Sequence, residues 1–447
     1  MATPSAVTAV YSDAYISTFD IHKPEYRNTL FRKYGDQGLG FYQIMDTLGY
    51  IEPVAQTQYS HFEEDWIHVP VHVRANVASP GAGNPVLFTL GTEDLDSNNR
   101  FYIQLGDNVM FTNQVTGTVT NVNITTPSAP IITVQPHQST DNIGALVAGD
   151  TVIIYSNDFA EGTGQPSGKV ARQIKYSFNT KIVKETNEYT GSEATNQLWF
   201  DKTSDGQSIP AIYLKGQLDT DYRMSLRMNG AMLFDRPTTN TTLVASGNRT
   251  TTGLVPWVRG GGNVDTYTSG FYALPDFDIM NNILDQNFAP AELLAMLGFG
   301  LHTEWDNLFV NSFTQGAIVY AMFKEARKAE DLTIGFKSFT KTERTWHIKR
   351  MAGFNHPQTY GAPGYKIPGM GVVMPMDAKK DSVTGNIIPS FGQRYKALGG
   401  YNRKMKVWLT GGAKASTNQV DKDELNMRSE FGTEFIASNR FFLIEQA

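Results

Sequence analysis

The sequence predicts an α+β fold with a small antiparallel β domain set into the first half of the chain. Three observations carry this. A run from Pro210 to Arg236 repeats apolar residues at helical spacing. Short β-type runs separated by polar turns recur between 75 and 167. Further on, DLTIGFKSF and ERTWHIKRM alternate apolar and polar residues as paired strands do.

Composition sets the bounds. The 447 residues suffice for two or three domains with a buried core. Hydrophobic residues make up 40% and charged residues 18%, the balance of a globular chain. Forty Gly and twenty Pro, with frequent Thr and Asn, favour strands and turns. There is no cysteine, which excludes disulfides, thiolate catalysis and cysteine-ligated zinc or iron–sulfur sites. MATPSAVTAVYSDAY lacks the basic start and apolar core of a signal peptide, and no run approaches the roughly 18 apolar residues of a membrane span. Synthesis in the cytoplasm is the expectation, with the sequons at Asn123, Asn240 and Asn248 unused. A net charge of -6 argues against a tight nucleic-acid binder.

Residues 1–50 read as an arm with scattered aromatics (Tyr11, Tyr15, Phe19, Phe31) and no strong period. Trp66–Arg74 alternates as a strand, and Pro70 suits an edge position. The β block follows: VLFTL (86–90), RFYIQL (100–105), NVMF (108–111), PIITV (130–134) and DTVIIY (150–155). AEGTGQPSGK (160–169) reads as a return linker. Lys175–Phe200 is polar, rich in Thr, Tyr and Asn, and holds little that could drive a chemical step.

The run from 210 to 236 begins at Pro210, where a missing N–H costs little, and ends at Arg236-Pro237. Leu214, Leu218, Tyr222 and Leu226 step by four along one stripe. Met224, Met228 and Met232 are expected as a second stripe beside it, with Arg223 and Arg227 on the opposite face. Such a helix spans about 40 Å, the length of a spine.

Residues 237–270 read as a Gly/Thr-rich loop. Leu274-Pro275 opens a second amphipathic helix with Phe277, Met280, Ile283 and Leu284. ELLAMLG reads as a buried strand, because Gly298 and Gly300 interrupt the helical alternative, and a helix follows near His302–Phe313. AIVYAMFKEARKAED (317–331) reads as a helix, 353–400 as loop-dominated, and SEFGTEFIASNRFFLIEQA as a terminal β extension. No internal repeat is visible.

Three stretches carry a family resemblance. They are IVKETNEYTGSEATNQLWF (182–200) with its entry into the long helix, 292–350 followed by GFNHPQTYGAPGYKIPGMGVVMPM (353–376), and SEFGTEFIASNRFFLI (429–444). Their layout resembles HK97-fold major capsid proteins of tailed double-stranded DNA bacteriophages, with a texture similar to crAss-like phages of Bacteroidetes hosts. The resemblance implies an N-terminal arm (1–50), an extended loop (51–74 and 168–203) and an axial domain (292–410). It also implies a peripheral domain (204–291 and 411–447) containing the spine helix 210–236. The block 75–167 departs from the minimal pattern and is expected to be an inserted β-barrel or β-sandwich.

The implied function is a non-enzymatic shell subunit without cofactor or metal. It would self-assemble as hexamers and pentamers into an icosahedral capsid, located in the virion after assembly in the host bacterial cytoplasm. That shell encloses double-stranded DNA without sequence-specific binding. Implied partners are portal, decoration or auxiliary capsid proteins, with no membrane. The alternative is a β-rich phage tail or glycan-binding or glycan-cleaving protein, and the long spine helix discriminates against a tail spike.

Chemical motifs are weak throughout. HFEEDWIHVPVH (61–72) offers His61, Glu63, Glu64, Asp65, His68 and His72, but HExxH spacing is absent and alternation puts His68 and His72 on a polar strand face. DLDSNN (94–99) lacks the Gly and Glu of a calcium loop and reads as a hairpin turn. Ser338-Phe339-Thr340-Lys341 matches S-x-x-K without its partner motifs, so a turn is expected there. Arg259-Gly260-Gly261-Gly262-Asn263 reads as a flexible loop. Lys337, Lys341, Arg344, Lys349 and Arg350, with Phe336 and Trp346, read as a solvated face in preference to a nucleic-acid surface. The subunit-contact candidates are Glu63, Glu64, Asp65, Arg259, Lys349 and Arg350, together with the loop 356–370.

Overall fold

The computed structural model describes residues 40–64, 70–95, 99–166, 168, 173–192, 202–204, 207–209, 211–314, 337–380, 387–412, 417 and 419–447. The chain is α+β, and it divides into two compact units. Ser60–Tyr176 forms one; the chain up to Tyr59 and from Ser177 onward forms the other. Of the expected arm, 1–39 lies outside the described residues, as do Asp65, His68 and the helix expected at 317–331.

The first elements are α1 (Phe41–Leu48), β1 (Ile51–Val54) and β2 (Gln58–Glu64). Thus the end of the expected arm is a helix. Phe41, Ile44 and Met45 repeat at helical spacing and are fully buried, a signal too short to stand out in a run of mixed polarity.

The smaller unit is built on β3 (Val71–His72), β4 (Val86–Thr89), β5 (Asp107–Met110), β6 (Thr116–Asn123), β7 (Ile131–Pro136) and β8 (Thr151–Asn157). They pair in the order β3-β8-β5-β6-β7-β4. A bridge from Val73 to Leu90 joins the two ends of that order, so the sheet closes on itself. Closure removes exposed edges, which would otherwise template pairing with other chains. Val86, Phe88, Val109, Val119, Ile132, Val134 and Val152 alternate inward and fill the interior. RFYIQL forms no strand; the chain bends there, buries Ile103 and turns at Gly106, whose φ of 87° favours glycine. The sequence missed β6 because TGTVTNVN is mostly Thr and Asn and fully buries only Gly117 and Val119, with Val122 partly buried.

The larger unit continues through β9 (Gln173–Asn179), β10 (Lys181–Thr190), the short pair β11 (Lys202–Ser204) and β12 (Gln207–Ile209), and α2 (Ala211–Phe234). After these come α3 (Thr241–Ala245), α4 (Leu254–Gly261), β13 (Asn263–Tyr267), α5 (Leu274–Gln286), β14 (Glu292–Leu297) and α6 (Phe299–Thr314). Next are β15 (Lys337–Lys341), β16 (Arg344–Arg350), α7 (Ala352–Asn355) and β17 (Gly371–Pro375). The last stretch holds β18 (Ala378–Lys380), β19 (Ile387–Pro389), β20 (Phe391–Leu398), β21 (Tyr401–Asn402), β22 (Lys406–Gly411), β23 (Lys422–Phe435) and β24 (Phe442–Gln446).

Two six-stranded sheets organise this unit. One runs β1-β20-β23-β10, with β22 also on β23 and β21 on β20. The other runs β13-β24-β17-β14-β16-β15, and its core gathers Phe277, Trp305, Phe339 and Trp346 around α5 and α6. This second sheet joins 263–267 and 442–446 to strands from 292–375, so it crosses the domain limits expected at 292 and 410. The expected loop at 237–270 contains α3, α4 and β13. Likewise 353–400 contains β17, whose five residues are all buried, because GVVMP is a short apolar run bounded by Gly and Pro.

Helix α2 lies against β10 and β23. Its buried stripe is Met224, Met228 and Met232, each 0% exposed, whereas Leu218 is 60% exposed. The two rows are therefore not side by side. Residues two apart sit about 200° apart round a helix, so Met224 and Leu226 face opposite ways. Truncating Met228→Ala should lower stability by about 2–5 kcal/mol in chemical unfolding, while Leu218→Ala should change it little.

Candidate assembly surfaces

β2 and β9 pair with each other as a two-stranded ribbon. One face is committed to the body. Tyr59 stacks on Phe178 at 5.9 Å, Phe178 meets Trp257 at 5.4 Å, and the Tyr59 hydroxyl donates to the Thr433 carbonyl at 2.6 Å. Burial pushes that phenol well above its usual range. Farther along, His61 lies against Tyr176 and meets the Glu63 carboxylate at 3.0 Å. Alternation sends Phe62, Glu64 and Lys175 to the other face, where Phe62 is 68% exposed. Of the acidic candidates, Glu63 is thus engaged locally and Glu64 is open to solvent.

The first sheet is held by ion pairs across strands. Arg394 on β20 joins Glu52 on β1 to Glu434 on β23. Buried Glu430 meets Arg403 at 2.5 Å and Lys396 at 3.6 Å, and accepts from the Thr180 hydroxyl at 3.2 Å. Arg223 and Arg227, expected opposite the apolar stripe, reach buried Glu185 on β10 at 3.5 and 2.9 Å. Lys181 binds Asp235 at 2.6 Å; burial still raises the Asp235 carboxyl, with Lys181 opposing the shift. Buried Glu185, Glu430 and Glu434 are each met by a cation, as the cost of burying a lone charge demands.

Arg259 lies in the last turn of α4 and pairs with Glu445 on β24, so this candidate serves the interior contacts of its own chain. The glycines behind it are not a loose loop. A Cβ at Gly262 would lie 2.7 Å from the Ser438 carbonyl oxygen, so this close approach needs glycine. Lys349 is half-buried, and burial first, then Arg350, lowers its ammonium pKa; Arg350 is exposed. In the loop 356–370 the Tyr360 hydroxyl donates to the Leu226 carbonyl at 2.7 Å, anchoring the loop to α2.

The expected solvated basic face does not form as a set. Lys341 pairs with Asp278 at 2.6 Å, Arg344 donates to the Ala289 and Pro290 carbonyls at 2.8 Å, and Trp346 is buried in the core. Phe336 lies outside the described residues. Ser338–Lys341 belongs to β15, and the turn falls one step later at Thr342 and Glu343, both in the left-handed region. Alternation had marked the strands but not the two-residue turn between them.

His72 was expected to be solvated. Instead its Nδ1 lies 2.8 Å from the buried Asp94 carboxylate, which also accepts the His72 backbone N–H. Among the described residues no group of three or more His, Asp or Glu side chains could hold a metal ion. An open cleft of 380 Å³ is lined by Asp265, Tyr267, Phe271 and Asp276. Asp276 accepts the Ala273 N–H at 2.8 Å and so caps α5, while burial, then Asp276, raises the Asp265 carboxyl.

No family model matches the chain, and no curated protein matches it. Solved structures do. The capsid of cyanophage P-SCSP1u is 10% identical, with a TM-score of 0.44, over 100% of this chain and 98% of that one. The capsid of Myoviridae phage XM1 is 9% identical, with a TM-score of 0.43, over 95% and 97%. The holo-SrpI encapsulin complex from Synechococcus elongatus PCC 7942 is 11% identical, with a TM-score of 0.36, over 62% and 77%. With these TM-scores below 0.5, the functional reading rests on the geometry of this chain.

Replacing Arg394→Ala leaves Glu52 and Glu434 without their shared cation. Stability should fall by about 2 kcal/mol, read as a lower denaturant midpoint with an unchanged slope.

Proposed function

We propose that this chain is a major capsid protein, the self-assembling and non-enzymatic subunit of an icosahedral phage shell. One observation carries the reading. A ribbon fixed to its own body by one face presents Phe62, Glu64 and Lys175 on the other, as a segment shaped to meet another copy would. The body supports it: ion pairs across the first sheet and the spine α2 beneath β10 and β23 make a stiff tile. Contacts worth only a few kcal/mol each become effectively permanent when every subunit makes several.

In this reading the first sheet with α2 is the peripheral domain, and the second sheet with α5 and α6 is the axial domain. The ribbon is the base of the extended loop, and the closed barrel is an addition inserted in the sequence between its two strands. The shell consists of hexamers and pentamers, encloses double-stranded DNA without reading its sequence, and works with portal and auxiliary proteins of the virion. It is assembled in the cytoplasm of a bacterial host.

Glycan cleavage has less behind it. It needs two carboxylates free for acid and base roles, and Asp276 in the cleft is engaged as a helix cap. Expression of the full chain with its phage neighbours, followed by sedimentation and electron microscopy, tests the proposal. Closed shells of uniform diameter are expected; a strictly monomeric product with hydrolase activity would overturn it.

A further inference from the structure

The outer face of the barrel holds an arrangement that folding does not require. Strands β5 to β8 carry no Lys, Arg or Glu, and their one Asp, Asp107, is buried and accepts the Gln104 N–H at 2.7 Å. A sheet face that meets only water ordinarily carries charge of both signs. Here four polar side chains are tied to each other instead. Thr116 and Thr118, two apart on β6, share its outer face. The Thr118 hydroxyl donates to the Asn108 side-chain oxygen on β5 at 2.7 Å. The His137 ring, just past β7, spans the two threonines, with Nε2 2.9 Å from Thr118 Oγ1 and Nδ1 2.9 Å from Thr116 Oγ1. Thr118 has a single proton and gives it to Asn108, so Nε2–H donates to Thr118 and Nδ1 accepts from Thr116. The chain therefore runs in one direction. It ends on the Asn108 amide nitrogen, which has no partner among the described residues. Ordering four surface side chains opposes folding through conformational entropy, and water could satisfy each of them as well.

Apolar groups lie beside the chain. The register between β5 and β8 skips Tyr155, which bulges out next to Asn108 and is 50% exposed. Ile153, 46% exposed, stands opposite Met110, which in turn stands opposite Thr116. We propose that this face of the barrel binds a neutral glycan, with Tyr155 against the C–H face of a sugar ring and Asn108, Thr118 and Thr116 on its hydroxyls. The chemistry selects this class. A sugar hydroxyl both donates and accepts, which suits a row of fixed donors and acceptors. An aromatic ring with a few placed polar groups is the usual make-up of a ligand site. Nucleic acids and sulfated glycans call for cations, which these strands lack. A protein partner would call for an apolar centre with a polar rim, whereas here the apolar residues flank a polar centre. The only carboxylate of these strands is buried, so the face binds a glycan without cleaving it.

Retention of the full-length chain on immobilised dextran, mannan and galactan, with heparin as the anionic control, tests this. Retention on at least one neutral polymer is expected, insensitive to salt and without release of reducing sugar. Thr118→Val breaks the hydrogen-bond chain at its centre while keeping the side chain's shape, and Tyr155→Ala removes the ring. Each should weaken retention by about tenfold or more, with circular dichroism unchanged. Leu87→Ala, at an exposed position on β4 outside the site, should be retained as the wild type is. Retention on none of the three polymers overturns the proposal, as does wild-type retention of either site variant or an equal loss in Leu87→Ala. Stronger retention on heparin that salt abolishes also overturns it, in favour of an anion-binding surface. None of these outcomes touches the shell reading, which particle formation tests separately.

Discussion

The larger unit depends on the backbone pairing of β23. This fourteen-residue strand hydrogen-bonds β10 along one edge and β20 and β22 along the other. Its partners come from residues far apart in the chain, and each brings something with it. β10 brings the ribbon and α2; β20 brings β1, which pairs beside it in parallel. Remove β23 and these segments lose the template that aligns them. Because β23 pairs with β10, more than two hundred residues before it, the sheet is built from long-range contacts, which form slowly.

Polar residues on β23 are tolerated because its neighbours carry opposite charge. Glu430 and Glu434 are buried, yet each is met by a cation from β20 or the residues following it. Beneath them Ser429, Phe431, Thr433 and Phe435 are fully buried, so the strand faces core on one side and an ion-pair ladder on the other. Farther along, the ladder runs out, and Arg428 stands between two lysines.

The second sheet follows different rules. Its centre is apolar on both faces, as β14 and β17 show with nearly every residue buried. Aromatic rings do the fixing: Phe277 lies within 4.7 to 5.6 Å of Trp305, Phe339 and Trp346 in edge-on contacts. These contacts hold α5 and α6 on one face, and the buried Tyr267 hydroxyl donates to the Gly369 carbonyl at 2.8 Å.

Local periodicity by itself determined much of this protein. It was enough for the strands at β4, β5, β7 and β8, for α2, α5 and α6, and for β16, because each repeats apolar residues at the spacing of its own element. Turns and polar strands were less legible: β6 is mostly Thr and Asn, and α4 ends in glycines that the sequence cannot distinguish from a loop. Only the tertiary structure decided which charges are spent and which are free. Arg259, Lys341 and Arg344 find partners inside the chain, whereas among the described residues Lys184 and Glu64 have no charged partner, and nothing in their local sequence separates the two groups. The reason is physical. Charge pairing acts through space between strands brought together by long-range registers, while sequence spacing reports only what one element does along its own axis.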